Sequence, residues 1–376
     1  MTYPTIYRST DTGAPTLNNA VGAWCEVLRV CLQNGYNSKS VTSIVVSSGV
    51  ATVTCATHGY SGAYASHVLI EGSSEAALNG KKQPTVTGAN TFNYPAPGVA
   101  NGTYTGTITA KQAPAGWTEI FTGTGKSIFQ PDSVEATGIC LRILDTNAAP
   151  AATTYARMIG VENPSDIDTY SNVFPTNAQR SDGLYLQKGT NNTTPKPWFV
   201  IANDRFLYLF IDFGASGGCL YWFGDLKSLY APDPNCCGIH GGINTTTGQI
   251  SPSAFGLSGF NANPAGPPYV FRDYTGTGSY SENMNQCGPQ LSGHLGSGVM
   301  QSGALPTWAI WDGIYLMEGA KVLRGVVPGL ASPLALQPFP HLTYVVTNEG
   351  DVYFGFYGSP SNVTSAGLIC LSKHWH

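Results

Sequence analysis

One stretch near the start of the chain repeats its hydrophobic residues at helical spacing. The residues that recur every three or four positions are Leu17, Val21, Trp24, Leu28 and Leu32. This spacing places them on one face of an amphipathic helix. Thr16 is a suitable N-cap, and Asn34-Gly35 is a typical helix stop. The pattern predicts a helix over 17–33, with Trp24 as a core anchor.

After residue 40 the hydrophobic residues alternate with polar ones, which is the period of a β-strand. Two such runs, 41–46 and 51–55, flank Ser47-Ser48-Gly49, and this arrangement is typical of a hairpin. Further short runs and Asn-Gly turn dipeptides continue to about residue 110. The sequence therefore predicts a small, immunoglobulin-like β-sandwich module over 41–112, inserted into a larger domain.

From residue 117 onward the predicted strands are longer and more aromatic. The run 206–213 is apolar almost throughout, as expected for a strand that is buried on both faces. By contrast, residues 232–305 are rich in Gly, Pro, Ser and Asn and predict a long irregular insertion. We expect a mainly β protein, whose β-sandwich or barrel-like core comprises residues 1–40 and 113–376 and carries one N-terminal amphipathic helix.

Composition narrows the possible functions. Only 11% of the 376 residues are charged and the net charge is −4, so a highly basic nucleic-acid-binding protein is not expected. No run approaches the roughly 18 apolar residues of a membrane helix. The first residues lack a basic segment followed by an apolar one, so we expect no secretory signal. We therefore predict no specific nucleic-acid partner and no membrane partner.

The chain has nine cysteines, an odd number, so at least one is unpaired within the chain. Without an export signal, buried free thiols are expected. One hypothesis remains open for the adjacent pair Cys236-Cys237. If both thiols are exposed, they would be able to link subunits by disulfides in an oxidising environment.

The same region contains the strongest candidate metal ligands, Cys236, Cys237 and His240. A structural zinc site needs four ligands, and Cys287 and His294 lie in the same predicted insertion. The spacing matches no common zinc pattern. We expect no metal ion and no other cofactor.

Three short motifs resemble catalytic or phosphate-binding signatures. Gly214–Gly218 matches G-x-S-x-G but precedes a predicted strand, whereas a nucleophile elbow precedes a helix. Residues 123–127 lack the first glycine of a phosphate-binding loop. Asp166 and Asp168 lie in a sequence typical of a turn. We interpret all three as turns and predict no enzymatic activity.

Several segments resemble, in the same order, the "STDASAPVL" proteins of tailed bacteriophages. The resemblance covers most of 1–40, 113–230 and 308–371. In that family a Gly-Trp-Thr segment follows soon after Asn-Gly-Tyr, whereas here the 41–112 module separates the two. The matching segments are 7–17, 32–36, 116–126, 156–168, 197–211, 222–225 and 323–333.

The resemblance implies a structural protein of the virion with no catalytic residues, assembled in the bacterial cytoplasm. Its expected partners are other virion proteins and further copies of itself. We expect a place in the tail, neck or baseplate, and capsid decoration is the first alternative. The second is a fibre that binds host surface glycans through exposed aromatic residues such as Tyr269 or Tyr274, and the third is a depolymerase with two facing carboxylates. Candidate interface residues are Tyr269, Tyr274, Cys236 and Cys237.

Overall fold

The computed structural model describes residues 3–146, 155–189, 193–214, 218–229, 233, 235–242, 268–276, 284–287, 310–318, 322–333, 339–357 and 366–375. The fold is mainly β, with several antiparallel sheets and one short helix near the N-terminus, as the sequence predicts. Among the described residues, no helix has the length and apolar character needed to cross a membrane.

The elements alternate between short strands and turns along the whole described chain. Up to residue 187 they are β1 (Thr5–Arg8), α1 (Ala23–Arg29), a π-helical turn (Val30–Asn34), β2 (Tyr36–Ser40), β3 (Ser43–Ser47), β4 (Val50–Thr54), β5 (Val68–Glu71), a 3-10 turn (Ala76–Leu78), β6 (Gly80–Lys82), β7 (Thr85–Gly88), β8 (Thr91–Pro95), β9 (Gly102–Tyr104), β10 (Thr109–Gln112), β11 (Trp117–Gly123), β12 (Lys126–Pro131), β13 (Cys140–Leu144), β14 (Tyr155–Val161), β15 (Val173–Phe174) and β16 (Leu184–Gln187). The later strands are β17 (Trp198–Ala202), β18 (Phe206–Asp212), β19 (Gly218–Asp225), β20 (Lys227–Ser228), β21 (Cys237–His240), β22 (Tyr269–Val270), β23 (Met284–Cys287), β24 (Ile310–Glu318), β25 (Val322–Pro333), β26 (Thr343–Val346), β27 (Val352–Tyr357) and β28 (Ala366–Cys370).

A central sheet, in the order β1-β17-β18-β19-β21-β22, is buried on both faces. Strand β18 shows why the sequence is apolar there. Leu207, Leu209 and Ile211 pack on one side of the sheet, and Phe206, Tyr208 and Phe210 pack on the other. Successive side chains of a strand point to opposite faces, so a strand covered on both sides needs apolar residues at every position. The expectation for this run is confirmed.

Two outer sheets cover the central one. The first has the order β11-β12-β13-β14-β15, with β16 also paired to β14, and it packs with α1 on one face of the central sheet. The second has the order β23-β24-β25-β28-β27-β26, with β20 also paired to β25, and it covers the opposite face. The core is thus a stack of three antiparallel sheets.

The small sandwich is formed by a four-stranded sheet, β2-β10-β5-β6, and a five-stranded sheet, β7-β8-β4-β3-β9. Its apolar side chains, from Val41 to Ala110, form a buried cluster separate from those of the core. The predicted hairpin is present as β3 and β4. The sandwich begins earlier than predicted, because β2 at Tyr36–Ser40 pairs with β10.

The predicted irregular insertion 232–305 is partly regular. Among its described residues, β21 and β22 extend the central sheet, and β23 pairs with β24 of the second outer sheet. Ile239, Tyr269 and Val270 are buried there. The expectation of an irregular segment is therefore wrong for these three strands, since a few apolar residues suffice to form edge strands on an existing sheet.

The helix is shorter than the predicted 17–33. It begins after Gly22, whose φ is 77°, and continues as a π-helical turn to Asn34. The preceding backbone is paired elsewhere, because the Leu17 carbonyl accepts a hydrogen bond from the Lys196 N–H (2.9 Å) and the Ala20 carbonyl accepts one from Lys188 Nζ (2.7 Å). Thr16 is therefore not the N-cap. Trp24 is fully buried, as expected of a core anchor.

Asp145, at the end of β13, caps the helix from a distant part of the chain. Its carboxylate accepts a hydrogen bond from the Trp24 N–H (2.9 Å), and its carbonyl accepts one from the Gly22 N–H (2.8 Å). The same carboxylate forms an ion pair with Lys188, and both side chains are fully buried. Burial raises the pKa of Asp145 to about 6, and the contact with Lys188 opposes this rise.

The small sandwich leaves and rejoins the core at one place. The Ala115 N–H donates to the Cys31 carbonyl and the Gly116 N–H to the Leu32 carbonyl, each at 3.0 Å. A third contact comes from loop 61–67, where the Ala65 carbonyl accepts a hydrogen bond from the N–H of Ile6 (2.9 Å) in edge strand β1. The sandwich is therefore attached both at the chain crossings and through loop 61–67, and it covers part of the edge of the central sheet.

Gly35 lies at this junction and cannot carry a side chain without strain. Its backbone has φ 68° and ψ 178°, and a Cβ would lie 2.2 Å from the Gln112 carbonyl oxygen. We expect Gly35→Ala to lower the free energy of unfolding by about 2–4 kcal/mol. Gly49→Ala is the matched control, because Gly49 also has positive φ but nothing within 4 Å of its Cβ position. It should cost about 1 kcal/mol. Urea denaturation measures both, and equal losses would contradict the assignment.

The buried ion pair gives a second prediction. Lys188→Met leaves the Asp145 carboxylate buried without its cation and should destabilise the fold by about 3–5 kcal/mol at neutral pH. The remaining carboxyl has a higher pKa in the folded than in the unfolded chain, so the folded state binds the proton more tightly. Stability then falls as the pH rises, and the loss should shrink as the pH is lowered towards about 4.

Lys126→Met is the control for this prediction. It removes a lysine from the pair with Asp168 (2.5 Å), where the two side chains are 28% and 51% exposed. Such a pair contributes less than about 1 kcal/mol. Thermal unfolding of both variants between pH 4 and pH 8 makes the comparison. A loss for Lys188→Met that is as small as the control's would contradict a structural role for the buried pair.

Candidate interaction surfaces

The adjacent cysteines lie inside the protein and not on its surface. Cys236 is 2% exposed and Cys237 is fully buried. Cys236 packs in the cluster between the central and second outer sheets, whereas Cys237 packs on the opposite face of the central sheet. The expectation of buried free thiols is confirmed for this pair, and the hypothesis of an exposed pair is wrong, because other layers cover both faces of the central sheet.

Burial also makes these thiols unreactive. It raises the pKa of Cys236 to about 12 and that of Cys237 well above its usual value. The Sγ of Cys236 donates to the Arg324 carbonyl at 3.6 Å. Since the thiolate is the reactive form, neither residue is suited to disulfide exchange between subunits at neutral pH.

The three candidate metal ligands are not arranged around one point. The ring of His240 stacks on Trp222, with the ring centroids 5.9 Å apart, on the side of the central sheet that faces the second outer sheet. Cys237 lies across the sheet, so its sulfur and the imidazole face different layers. Within the described ranges, no group of three or more His, Cys, Asp or Glu side chains is placed to hold a metal ion. The side chain of Cys287 and all of His294 lie outside the described residues.

The two candidate tyrosines differ. Tyr269 is 1% exposed and packs in the core, so the expectation that it is exposed is wrong. Tyr274 is 59% exposed, and its N–H donates to Glu318 Oε2 at 3.0 Å. Of this pair, only Tyr274 is accessible to a partner.

A charged network that the sequence analysis missed lies close to these residues. Arg324 is fully buried. Its guanidinium donates to Glu318 Oε2 (2.6 Å), to Asp233 Oδ2 (3.2 Å) and to the Arg272 carbonyl (2.9 Å). These bonds tie β24 and β25 to the segments that contain Asp233 and Arg272. The arrangement stabilises the connection between the central and second outer sheets.

Three carboxylates, those of Glu135, Asp225 and Asp233, line a neighbouring cleft of about 420 Å³, which is relevant to the depolymerase alternative. Arg205 contacts two of them, Glu135 Oε2 and Asp225 Oδ2, each at 3.3 Å. Asp225 also accepts hydrogen bonds from the backbone N–H and hydroxyl of Thr137. A glycosidase needs one carboxyl to donate a proton and the other to act as base or nucleophile. Burial raises the pKa of Asp225, and its contacts with Thr137 and Arg205 oppose this rise. These contacts favour a structural role for the Asp225 carboxylate.

The other motifs are turns where the structure describes them. Residues 124 and 125 connect the antiparallel strands β11 and β12. Asp166 and Asp168 lie in a turn closed by a bridge between Asp166 and Thr169. The motif at 214–218 joins the antiparallel strands β18 and β19. Its serine, at position 216, lies outside the described residues.

The five-stranded sheet of the small sandwich presents an outer face without charge. The five charged residues of 41–112 lie elsewhere, namely Glu71, Glu75, Lys81, Lys82 and Lys111. On the outer face, Val45 is 40% exposed and lies between Thr52 and Thr103 on the neighbouring strands. Val50 is 42% exposed. Such a surface loses little solvation energy when a neighbour covers it.

No protein-family model matches the sequence, and no curated protein matches it significantly.

Burial of the adjacent cysteines gives a third prediction. Iodoacetamide should modify Cys236 and Cys237 in the native protein at least about 100-fold more slowly than in the urea-unfolded chain. Mass spectrometry of the peptide that contains both residues measures the rate. Ser47→Cys provides an accessible reference thiol, since Ser47 is exposed on β3. Native labelling of the pair at the reference rate would show that this strand is not internal.

Proposed function

We propose that the chain is a structural accessory protein of a tailed-phage virion and belongs to the tail, neck or baseplate. Its partners in this proposal are other virion proteins and further copies of itself. The proposal assigns no catalytic role and no cofactor. It rests on the ordered resemblance of the core segments to a phage family and on the way in which the fold brings those segments together.

The observation that carries the proposal is the position of the small sandwich. In the family that the sequence resembles, Gly-Trp-Thr follows closely after Asn-Gly-Tyr. Here the two segments are about 80 residues apart, yet Gly116 is hydrogen-bonded to Leu32 at the end of the helical segment. The chain therefore returns to the point where it left the core. This geometry supports the interpretation of 41–112 as an insertion into a fold of that family.

A second structural feature supports the resemblance. The matching segment at 7–17 supplies the last two residues of β1, Tyr7 and Arg8, and the segment at 197–211 forms β17 and most of β18. These strands are neighbours in the central sheet, with Tyr7 opposite Val200. Segments that resemble the family thus contact one another directly in the core.

The surface is compatible with close packing of subunits. Charge is scarce, and the outer face of the five-stranded sheet combines Thr, Ser and Val side chains. Burial of apolar surface with few charges to desolvate favours protein–protein contacts. In a symmetric virion the same contact would be repeated in many copies.

Cryo-electron microscopy of the virion whose genome encodes this chain tests the proposal. We expect the three-sheet core to fit density in the tail, neck or baseplate. Density over the icosahedral lattice would support capsid decoration instead. Absence of the chain from purified virions, measured by mass spectrometry with a known tail protein as the positive control, would overturn a structural role.

A further inference from the structure

A pocket of about 340 Å³ opens in the second outer sheet where β25 changes its neighbour. Val326 pairs with Lys227 of β20, and Leu330 pairs with Ile369 of β28. Strands β20 and β28 both lie on the edge of β25 that is opposite to β24. This follows because Val326 pairs with Tyr315 of β24 on one edge and with Lys227 of β20 on the other. Residues 327–329 span the gap between β20 and β28. The pocket therefore results from the strand order itself.

The floor of the pocket is rigid. The carbonyl of Pro328 accepts a hydrogen bond from the Tyr208 hydroxyl at 2.6 Å, which anchors this part of β25 to the central sheet. Gly329 has φ 69°, and a Cβ there would lie 2.2 Å from Nε1 of Trp375. Trp375 is itself fixed, since its Nε1 donates to the Cys370 carbonyl at 2.8 Å. These contacts form the cavity without a ligand, as is usual for small-molecule sites.

The rim of the pocket carries two lysines. Lys227 and Lys373 are exposed there, and none of the described lining residues is a carboxylate. Lys373 pairs with Asp351 at 2.6 Å, so Lys227 is the lysine placed to receive an anionic ligand.

The walls of the pocket are apolar. Leu229 is 44% exposed at the rim, Tyr315 is partly exposed, and Val327 and Leu330, which also line the pocket, are buried. Inorganic phosphate or another small hydrated anion would leave these walls uncovered. A sugar that carries a carboxylate matches both features, because its anionic group is suited to the lysine and its C–H faces are suited to aliphatic and aromatic side chains.

We propose that this pocket binds a carboxylate-bearing sugar unit, with the carboxylate at Lys227 and the sugar ring over Leu229 and Tyr315. This binding site is independent of the position of the chain in a virion. If the chain proved absent from virions, the proposed sugar site would still stand. If the sugar did not bind, the proposed structural role would still stand.

Saturation-transfer NMR of the full chain with D-glucuronate as the probe tests the site. We expect saturable binding that is at least fivefold tighter than binding of D-glucose, acetate or inorganic phosphate. The affinity for glucuronate should fall as the salt concentration rises, because exposed charges are screened. No saturable binding of glucuronate would overturn the proposal. If glucose bound as tightly as glucuronate, the lysine would have no role in binding. If acetate or phosphate bound as tightly as glucuronate, the sugar ring would have no role.

Two variants locate the binding site. Lys227→Gln should weaken glucuronate binding at least fivefold, and Lys39→Gln, which removes the same charge from β2 of the small sandwich, should leave it unchanged. Leu229→Trp should block the pocket from its exposed rim. Circular dichroism and thermal unfolding verify that each variant folds. Unchanged binding in both Lys227→Gln and Leu229→Trp would place the sugar elsewhere and overturn the assignment.

Discussion

Burial of the central sheet on both faces is the constraint on which the rest of the core depends. A sheet with two apolar faces has to be covered twice, and each cover uses a different part of the chain. The helix and strands β11–β16 cover one face, and strands β23–β28 cover the other. The sheet edge at β1 is partly covered by the small sandwich. The order of elements along the chain thus follows from the need to enclose one sheet.

Charged residues are few, and several of the described ones have structural positions. The Asp145–Lys188 pair joins the start of the helix to the ends of β13 and β16, and Arg324 connects two sheets. A buried charge is costly unless it is paired and hydrogen-bonded. Each of these groups therefore fixes the relative position of the elements it joins. The cationic pocket rim differs from them, since its lysines are exposed to solvent.

Local patterns predicted the strands better than they predicted contacts between distant residues. The hairpin at β3 and β4 and the doubly buried β18 follow from alternation and continuous hydrophobicity. The start of the helix depends on Asp145, which is about 120 residues away and carries no local signal. Likewise, Cys236 and Cys237 lie in a stretch rich in turn-forming residues, and they are buried because distant elements pack on both faces of the central sheet. The buried charged network had one indication in the sequence, because Arg324 is a charged residue within an otherwise apolar run.

The attachments of the small sandwich have a mechanical consequence. They include the adjacent chain crossings beside the helix and, away from these, loop 61–67 on β1. A domain held by two linkers alone swings about a hinge, but a third contact away from the hinge removes that freedom. A force applied to the sandwich would therefore be transmitted to the edge of the central sheet. The sandwich thus moves together with the core and not as an independently tethered domain.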